Sequence, residues 1–253
     1  MRENKCNDAA CDCGEKTCDC EEKTCDCEDI TCDCGCEEST EYYHMPLLGE
    51  PAPDFTAVTT HGEITLSQYA REKKWVVLFS HPADFTPVCT TEFIKFAKKY
   101  AEFEKRNTVL IGLSIDSISS HLAWIRNIND SFGVKIPFPV IADLNQEVAS
   151  LYGMIQPSMS TTAACRAVFF IDPHGILKAM IYYPLTTGRC IPEIIRVLDS
   201  LRMTEEHGYA TPANWKSGGK VIVGAPKTQA EMDERDKIAS SDKKEWYLLY
   251  KDS

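Results

Sequence analysis

Residues 81–92 contain the side chains with the clearest chemical potential. The segment reads His-Pro-Ala-Asp-Phe-Thr-Pro-Val-Cys-Thr-Thr-Glu and follows a short apolar run. Thr86 suits the N-cap of a helix and Pro87 its first position, where the missing N–H of proline costs nothing. Cys89 would then lie in the first turn, where free N–H groups and the helix dipole favour an anion. We therefore interpret Cys89 as a nucleophilic thiolate rather than a buried structural cysteine.

The segments on either side alternate between predicted strands and predicted helices. Strands are predicted where apolar runs rich in β-branched residues occur, at 75–80, 108–115, 138–142, 167–171 and 177–183. Helices are predicted where apolar residues recur at helical spacing, at 90–105, 117–128 and 192–201. This alternation indicates an α/β layered fold. The chain after residue 203 is polar and irregular, which favours an arm or a small second domain.

The segment around Cys89 resembles the signature of a known family, the peroxiredoxins. Pro82, Thr86 and Cys89 match the pattern Pro-x-x-x-Thr-x-x-Cys. The longer string from Phe79 to Glu92 is similar to the 1-Cys subfamily, also called peroxiredoxin six. Further similarity occurs at residues 166–170, 183–189 and 211–215. The resemblance therefore extends over most of the chain beyond the N-terminal tail.

The resemblance implies an architecture for the chain. Residues 42–203 would form a thioredoxin-like core, in which helices flank a central mixed sheet. Residues 204–253 would form a C-terminal dimerisation arm that packs across a second copy. The expected assembly is a homodimer or a ring of dimers.

The resemblance also implies a role for each residue of the signature. Cys89 would be the peroxidatic cysteine, and Thr86 would hydrogen-bond the peroxide and the thiolate. Pro82 would shield the thiolate from water. Arg166 would stabilise the thiolate and polarise the bound substrate, because a cation suits charge that develops on sulfur and then on oxygen.

Four more residues have open interpretations. Arg189 resembles a second substrate-binding arginine of the family, or it is a surface charge beside a helix. His81 lies near the site in the subfamily, or it is a buried structural histidine. Cys165 should face away from the site if its neighbour Arg166 faces toward it. Cys190 is either a resolving thiol or, as we prefer, a partly buried small apolar residue.

The implied activity is the reduction of hydrogen peroxide and alkyl hydroperoxides to water and alcohols, without a cofactor. Peroxide would convert Cys89 to a sulfenic acid, which a thiol must then reduce. The donor would be a thioredoxin-like protein, glutathione or another thiol. Glu92 occupies the position that a Cys-x-x-Cys pair would give to its second cysteine, which disfavours a disulfide oxidoreductase.

Charge is divided unevenly along the chain. Residues 1–41 contain fourteen acidic and four basic side chains, whereas residues 42–253 contain twenty-four and twenty-three. The near-neutral second part predicts no nucleic-acid partner. No run of residues approaches the roughly 18 apolar residues of a membrane span, and no apolar signal region is recognisable. We therefore expect a cytoplasmic protein without a membrane partner.

Ten of the thirteen cysteines lie in residues 1–41, which we predict to be a disordered tail because it has few apolar side chains. Cys-Asp-Cys recurs there every seven residues, at Cys11 and Cys13, Cys18 and Cys20, Cys25 and Cys27, and Cys32 and Cys34. Paired thiolates of this kind bind zinc or Cu(I). Alternatively, tail thiols reduce the Cys89 sulfenic acid, or the repeat has no role. Metal binding and thiol buffering by the tail form the rival to a peroxidase function.

Removing residues 1–41 should abolish metal binding and preserve peroxidase turnover. The reduced full-length chain should bind roughly two Zn²⁺, because ten thiols complete two four-coordinate sites. A chain that starts at Tyr42 should bind none. Metal content and peroxidase rate with a small dithiol donor provide the measurements, and equal metal content would contradict the prediction. A truncated protein that reacts once but does not turn over would identify the tail as the source of the resolving thiol.

Overall fold

The computed structural model describes residues 45–253, which form a seven-stranded mixed sheet with helices on both faces and a separate three-stranded sheet. The strands are β1 (Thr56–Thr59), β2 (Gly62–Thr65), β3 (Trp75–Ser80), β4 (Thr108–Ser114), β5 (Val140–Ala142), β6 (Arg166–Ile171), β7 (Leu177–Tyr183), β8 (Val221–Val223), β9 (Lys243–Glu245) and β10 (Leu248–Lys251). The helices are α1 (Leu66–Arg71), α2 (Pro87–Glu104), α3 (Ile118–Phe132), α4 (Glu147–Leu151), α5 (Ile191–His207) and α6 (Gln229–Asp236).

The large sheet has the strand order β2-β1-β5-β4-β3-β6-β7. Strands β3, β4 and β5 are parallel to one another, and the remaining pairs are antiparallel. Helices α2 and α3 provide the two crossovers that parallel neighbours require. The central mixed sheet flanked by helices confirms the architecture that the sequence predicts.

The central strands form because their side chains are apolar toward both faces. All six residues of β3 and all six of β6 are buried, as expected for strands covered by helices on both sides. Strand β5 begins at Val140, two residues later than predicted. The residue before it, Pro139, has no N–H for a ladder hydrogen bond.

Two helices extend beyond their predicted ends. Helix α3 continues to Phe132 and stops at Gly133, which has a left-handed φ of 65°. Helix α5 continues to His207 and stops at Gly208, with a φ of 68°. Glycine adopts this conformation without a steric penalty and therefore terminates helices. The end of α5 lies past residue 203, where the sequence predicts the end of the core.

The C-terminal part is more regular than the sequence predicts. We expected an irregular segment, whereas the structure contains α6 and an antiparallel sheet in the order β8-β10-β9. These strands have only three or four residues, so an alternating pattern cannot be recognised in them. Among residues 45–253, no helix is both long and apolar enough to cross a membrane.

A partly buried arginine–carboxylate pair connects the end of α2 to α5. Arg106 follows α2, and its Nε and Nη2 atoms donate to the two carboxylate oxygens of Asp199 at 2.5 and 2.9 Å. Its Nη1 donates to the Glu102 carbonyl at 2.7 Å. The Arg106 side chain is 18% exposed and that of Asp199 13%. Bidentate pairs shielded from solvent are among the stronger polar contacts in proteins.

Arg106→Ala should lower the free energy of unfolding by about 1–3 kcal/mol, because a partly buried carboxylate loses its charged donors. Arg126→Ala is the matched control, since its contact with Asp130 spans 3.7 Å between side chains that are 85% and 62% exposed. The control should change stability by less than about 0.5 kcal/mol. Urea denaturation of the two variants tests the prediction, and equal effects would contradict it.

Candidate active site

Cys89 is the third residue of α2, as the sequence predicts. Thr86 is the N-cap, with an extended backbone (φ −107°, ψ 149°), and Pro87 is the first helical residue. The Thr86 hydroxyl donates to the Ala83 carbonyl at 2.8 Å instead of capping the helix. Within residues 45–253, α2 therefore has no side-chain cap, and its first N–H groups remain available to an anion beside Cys89.

Arg166 contacts the sulfur of Cys89 directly. Its Nη1 lies 3.3 Å from the Cys89 Sγ, and both side chains are buried. Arg166 is the first residue of β6, and its Nε donates to the Leu185 carbonyl at 2.9 Å. The Leu185 carbonyl thus holds the guanidinium at Nε, and Nη1 faces the Cys89 sulfur. The half-buried Pro82 lies at the start of the loop between β3 and α2.

Glu92 lies one turn after Cys89 on α2 and holds two arginines. Its Oε2 accepts from Arg166 Nη1 at 2.8 Å and from Arg189 Nη2 at 2.7 Å. Its Oε1 accepts from the backbone N–H and the Nε of Arg189, at 2.8 and 2.9 Å. The carboxylate therefore receives four hydrogen bonds in a fully buried position, which fixes the Arg166 guanidinium against the sulfur.

Arg189 is buried rather than a surface charge beside a helix. Besides Glu92, it donates through Nη1 to the Ala167 carbonyl at 2.9 Å. Its guanidinium carbon lies 5.1 Å from the centroid of the Phe79 ring, a distance typical of cation–π contact. These contacts place Arg189 behind Glu92, so it acts on the thiol through Arg166 and Glu92. Its predicted contact with substrate stays a prediction.

The charges of this cluster sum to one positive charge beside the Cys89 sulfur. Burial opposes ionisation of Glu92, but the hydrogen bonds and charge of Arg189, with the charge of Arg166, outweigh it and hold the Glu92 pKa below its usual value. Two guanidinium cations and one carboxylate therefore leave one positive charge unbalanced. Buried charges are stable only when they are balanced, so the cluster can bind an anion.

His81 belongs to a second buried network, behind the loop that precedes α2. Its Nε2 lies 3.0 Å from Asp84 Oδ1, and His121 Nδ1 lies 2.8 Å from Asp84 Oδ2. Burial lowers the His81 pKa, although the hydrogen bond to Asp84 opposes the shift. The potential ligand atoms of these three residues lie within 4.8 Å of one another, as in a metal site. Their short mutual contacts show, however, that the carboxylate is already occupied by the two imidazoles.

The remaining cysteines differ in exposure. Cys165 is buried on the opposite face of the sheet from Cys89, which confirms the expected orientation, and burial raises the pKa of its thiol to about 11. Cys190 is exposed, so our preferred interpretation as a partly buried residue is wrong. Its neighbour Arg189 takes the inward direction to reach Glu92, which leaves Cys190 on the outer side. The eight cysteines of the predicted metal sites lie outside the described residues.

Sequence reasoning missed three important site residues. From the sequence, Glu92 has no predicted role at the site, although it lies three residues after Cys89 and therefore on the same face of α2. Asp84 and His121 are thirty-seven residues apart and meet only in the folded chain. No local signal in the sequence connects them.

Two family models match the chain. Residues 48–180 match the AhpC/TSA family, and residues 200–235 match the C-terminal domain of 1-Cys peroxiredoxin. A peroxiredoxin of Aquifex aeolicus is 55% identical over 205 residues, which are 77% of this chain and 92% of that protein. Peroxiredoxin 2 of Thermoplasma acidophilum is 51% identical over 203 residues, 80% of this chain and 99% of the relative.

Solved structures show the same likeness. Yeast mitochondrial 1-Cys peroxiredoxin is 39% identical, with a TM-score of 0.72 over 83% of this chain and 100% of its own. Peroxiredoxin 6 of Arenicola marina is 38% identical, with a TM-score of 0.71 over 81% of this chain and 97% of its own. These structures confirm the predicted thioredoxin-like fold with its C-terminal extension. The chain therefore belongs to the peroxiredoxins and is a thiol-dependent peroxidase that reduces hydroperoxides.

Proposed function

We propose that Cys89 is the residue that attacks the peroxide and that Arg166 is the cation that supports it. The observation that carries this assignment is the 3.3 Å contact between Arg166 Nη1 and the Cys89 sulfur at the uncapped start of α2. Neither of the other cysteines in residues 45–253 has such an environment. Cys165 is buried with a raised pKa, and Cys190 lies on the surface.

The reaction transfers one oxygen atom to sulfur. The Cys89 thiolate attacks the outer oxygen of the hydroperoxide, an S–O bond forms, and the O–O bond breaks. The electron pair of the O–O bond goes to the second oxygen, which takes up a proton and leaves as water or an alcohol. The sulfur supplies both electrons, so the step needs no cofactor. Arg166 and the first N–H groups of α2 stabilise the negative charge as it moves from sulfur to oxygen.

Thr86 and Pro82 complete the proposed site. Because the Thr86 hydroxyl proton is directed to the Ala83 carbonyl, its oxygen can accept a hydrogen bond from the O–H of the peroxide. This contact would orient the O–O bond toward the sulfur. Pro82 has no N–H and an apolar ring, so it limits the access of water to the thiolate. His81 acts on this loop through Asp84, and Arg189 acts on the thiol through Glu92.

We propose that an external thiol regenerates Cys89. Two donor thiols reduce the sulfenic acid to the thiol, forming one disulfide and one water. Cys165 is separated from Cys89 by the sheet, and Cys190 points outward, so neither thiol is directed at Cys89 in the folded domain. The yeast relative is described as resolved through glutathione and thioredoxin systems. A thioredoxin-like protein or glutathione is therefore our proposed donor here.

We also propose a homodimer, or a ring built from dimers. Strand β7 lies at one edge of the large sheet and leaves one row of backbone N–H and C=O groups unpaired by the sheet. Leu177 at the start of β7 pairs with residues 49 and 50, and the edge that remains from Lys178 to Tyr183 is a natural place for a second copy to pair. The C-terminal elements α6 and β8–β10 would then serve as the predicted dimerisation arm.

Cys89→Ser should abolish peroxide consumption, because a serine hydroxyl is not ionised at neutral pH and is a poor nucleophile. Cys165→Ser and Cys190→Ser are matched controls and should retain most of the activity. Peroxide loss with a small dithiol as donor provides the measurement. Turnover in Cys89→Ser equal to that of the unmodified protein would refute the assignment.

Arg166→Ala should slow peroxide reduction by about 100-fold or more, because the charge that stabilises the reacting atoms is lost. The second-order rate constant of the reaction with hydrogen peroxide provides the measurement. Arg166→Lys should recover only part of the rate, since an ammonium cannot contact Leu185, Glu92 and the sulfur together. Full recovery with lysine would show that charge alone is sufficient.

A further inference from the structure

The His81, Asp84 and His121 network ends on a backbone carbonyl. His121 Nε2 lies 3.0 Å from the Ile141 carbonyl, which can only accept, so this nitrogen is the donor. His121 Nδ1 faces the Asp84 carboxylate at 2.8 Å. His121 therefore connects Asp84 to Ile141 through its two ring nitrogens, and the side chains of His121 and Asp84 are both buried.

The environment favours the ionised form of Asp84. Burial opposes its ionisation, but hydrogen bonds from His121 and His81 outweigh burial and hold the Asp84 pKa far below its usual value. His81 Nε2 then donates to the second carboxylate oxygen. The His81 Nδ1 atom has no hydrogen-bond partner within residues 45–253, which is consistent with a neutral ring.

The contacts of Asp84 and His121 connect three separate segments of the fold. Asp84 lies in the loop between β3 and α2, His121 on α3, and the Ile141 carbonyl on β5. The loop is fixed again by its backbone, because the Asp84 N–H donates to the Asp116 carboxylate at 3.0 Å. Asp116 is itself held by the hydroxyl of Ser114 at 2.7 Å. Asp84 is therefore anchored through both its side chain and its backbone.

This anchoring imposes a strained conformation on the next residue. Phe85 has a φ of 55°, in the left-handed region that bulky residues avoid, and its side chain is 57% exposed. The left-handed conformation is sterically unfavourable for a residue with a Cβ atom. It reverses the chain between the inward Asp84 and the N-cap Thr86. Without the anchor, relaxation of Phe85 would move Thr86 and the start of α2.

We propose that His121, through its contact with Asp84, is a positioning residue that holds residues 81–86, and with them Thr86, in the geometry for peroxide reduction. The proposal deepens the assignment of Cys89 and Thr86 above and rests on it. His121 does not touch the sulfur in the described contacts, so it acts only through the loop.

Two reactions of Cys89 then test the positioning role. In His121→Gln, the second-order rate constant for hydrogen peroxide should fall by about tenfold or more, because small displacements of positioning groups are costly. Alkylation by iodoacetamide, which needs no bound peroxide, should not slow. His61→Gln is the matched control, since His61 is exposed in the turn between β1 and β2. It should change neither rate.

The outcomes distinguish the positioning role of His121 from the assignment of Cys89 as the nucleophile. An unchanged peroxide rate in His121→Gln, or an equal fall in both rates, would refute the positioning role and leave Cys89 as the nucleophile. Peroxide reduction that persists in Cys89→Ser would instead refute the proposed function. If His121→Gln does not fold, the same pair of rates in Asp84→Asn decides the question, with the same expected result.

Discussion

The site depends above all on one buried carboxylate. Glu92 accepts four hydrogen bonds and joins α2, the start of β6 and the segment that precedes α5 into one unit. Removing one partner of such a buried pair costs about 3–5 kcal/mol, because the other charge is left uncompensated. The carboxylate also fixes the direction of the Arg166 guanidinium. The same contacts that stabilise the junction of three elements therefore place a cation on the Cys89 sulfur.

A second buried charge network holds the loop that precedes α2. Asp84 is held by two imidazoles and by its own backbone, and it keeps the loop before α2 in a strained conformation. The two networks share no residue. One orients the cation that faces the sulfur, and the other orients the loop that carries Thr86. Reactivity therefore depends on the rigidity of a helix terminus that is held from both sides.

Position in the folded chain explains why two chemically identical thiols have different electrostatic surroundings. Cys89 and Cys165 are both buried, but they lie on opposite faces of the sheet. Cys89 has a helix N-terminus and a guanidinium beside it, whereas Cys165 is surrounded by apolar side chains, and burial raises its pKa to about 11. In general, burial among apolar groups makes a thiol inert, whereas a neighbouring positive charge favours the reactive thiolate.

The sequence by itself determined the central strands, the crossover helices and the place of Cys89 on α2. These features depend on local periodicity and on the Thr86-Pro87 helix start, which neighbouring residues specify. Short elements such as β8–β10 could not be predicted, because three or four residues do not establish a period. Only the tertiary structure decided that Glu92 joins Arg166 to Arg189, that Asp84 meets His121, and that Cys190 faces outward. Those outcomes depend on contacts between residues up to ninety-seven positions apart, which no local pattern encodes.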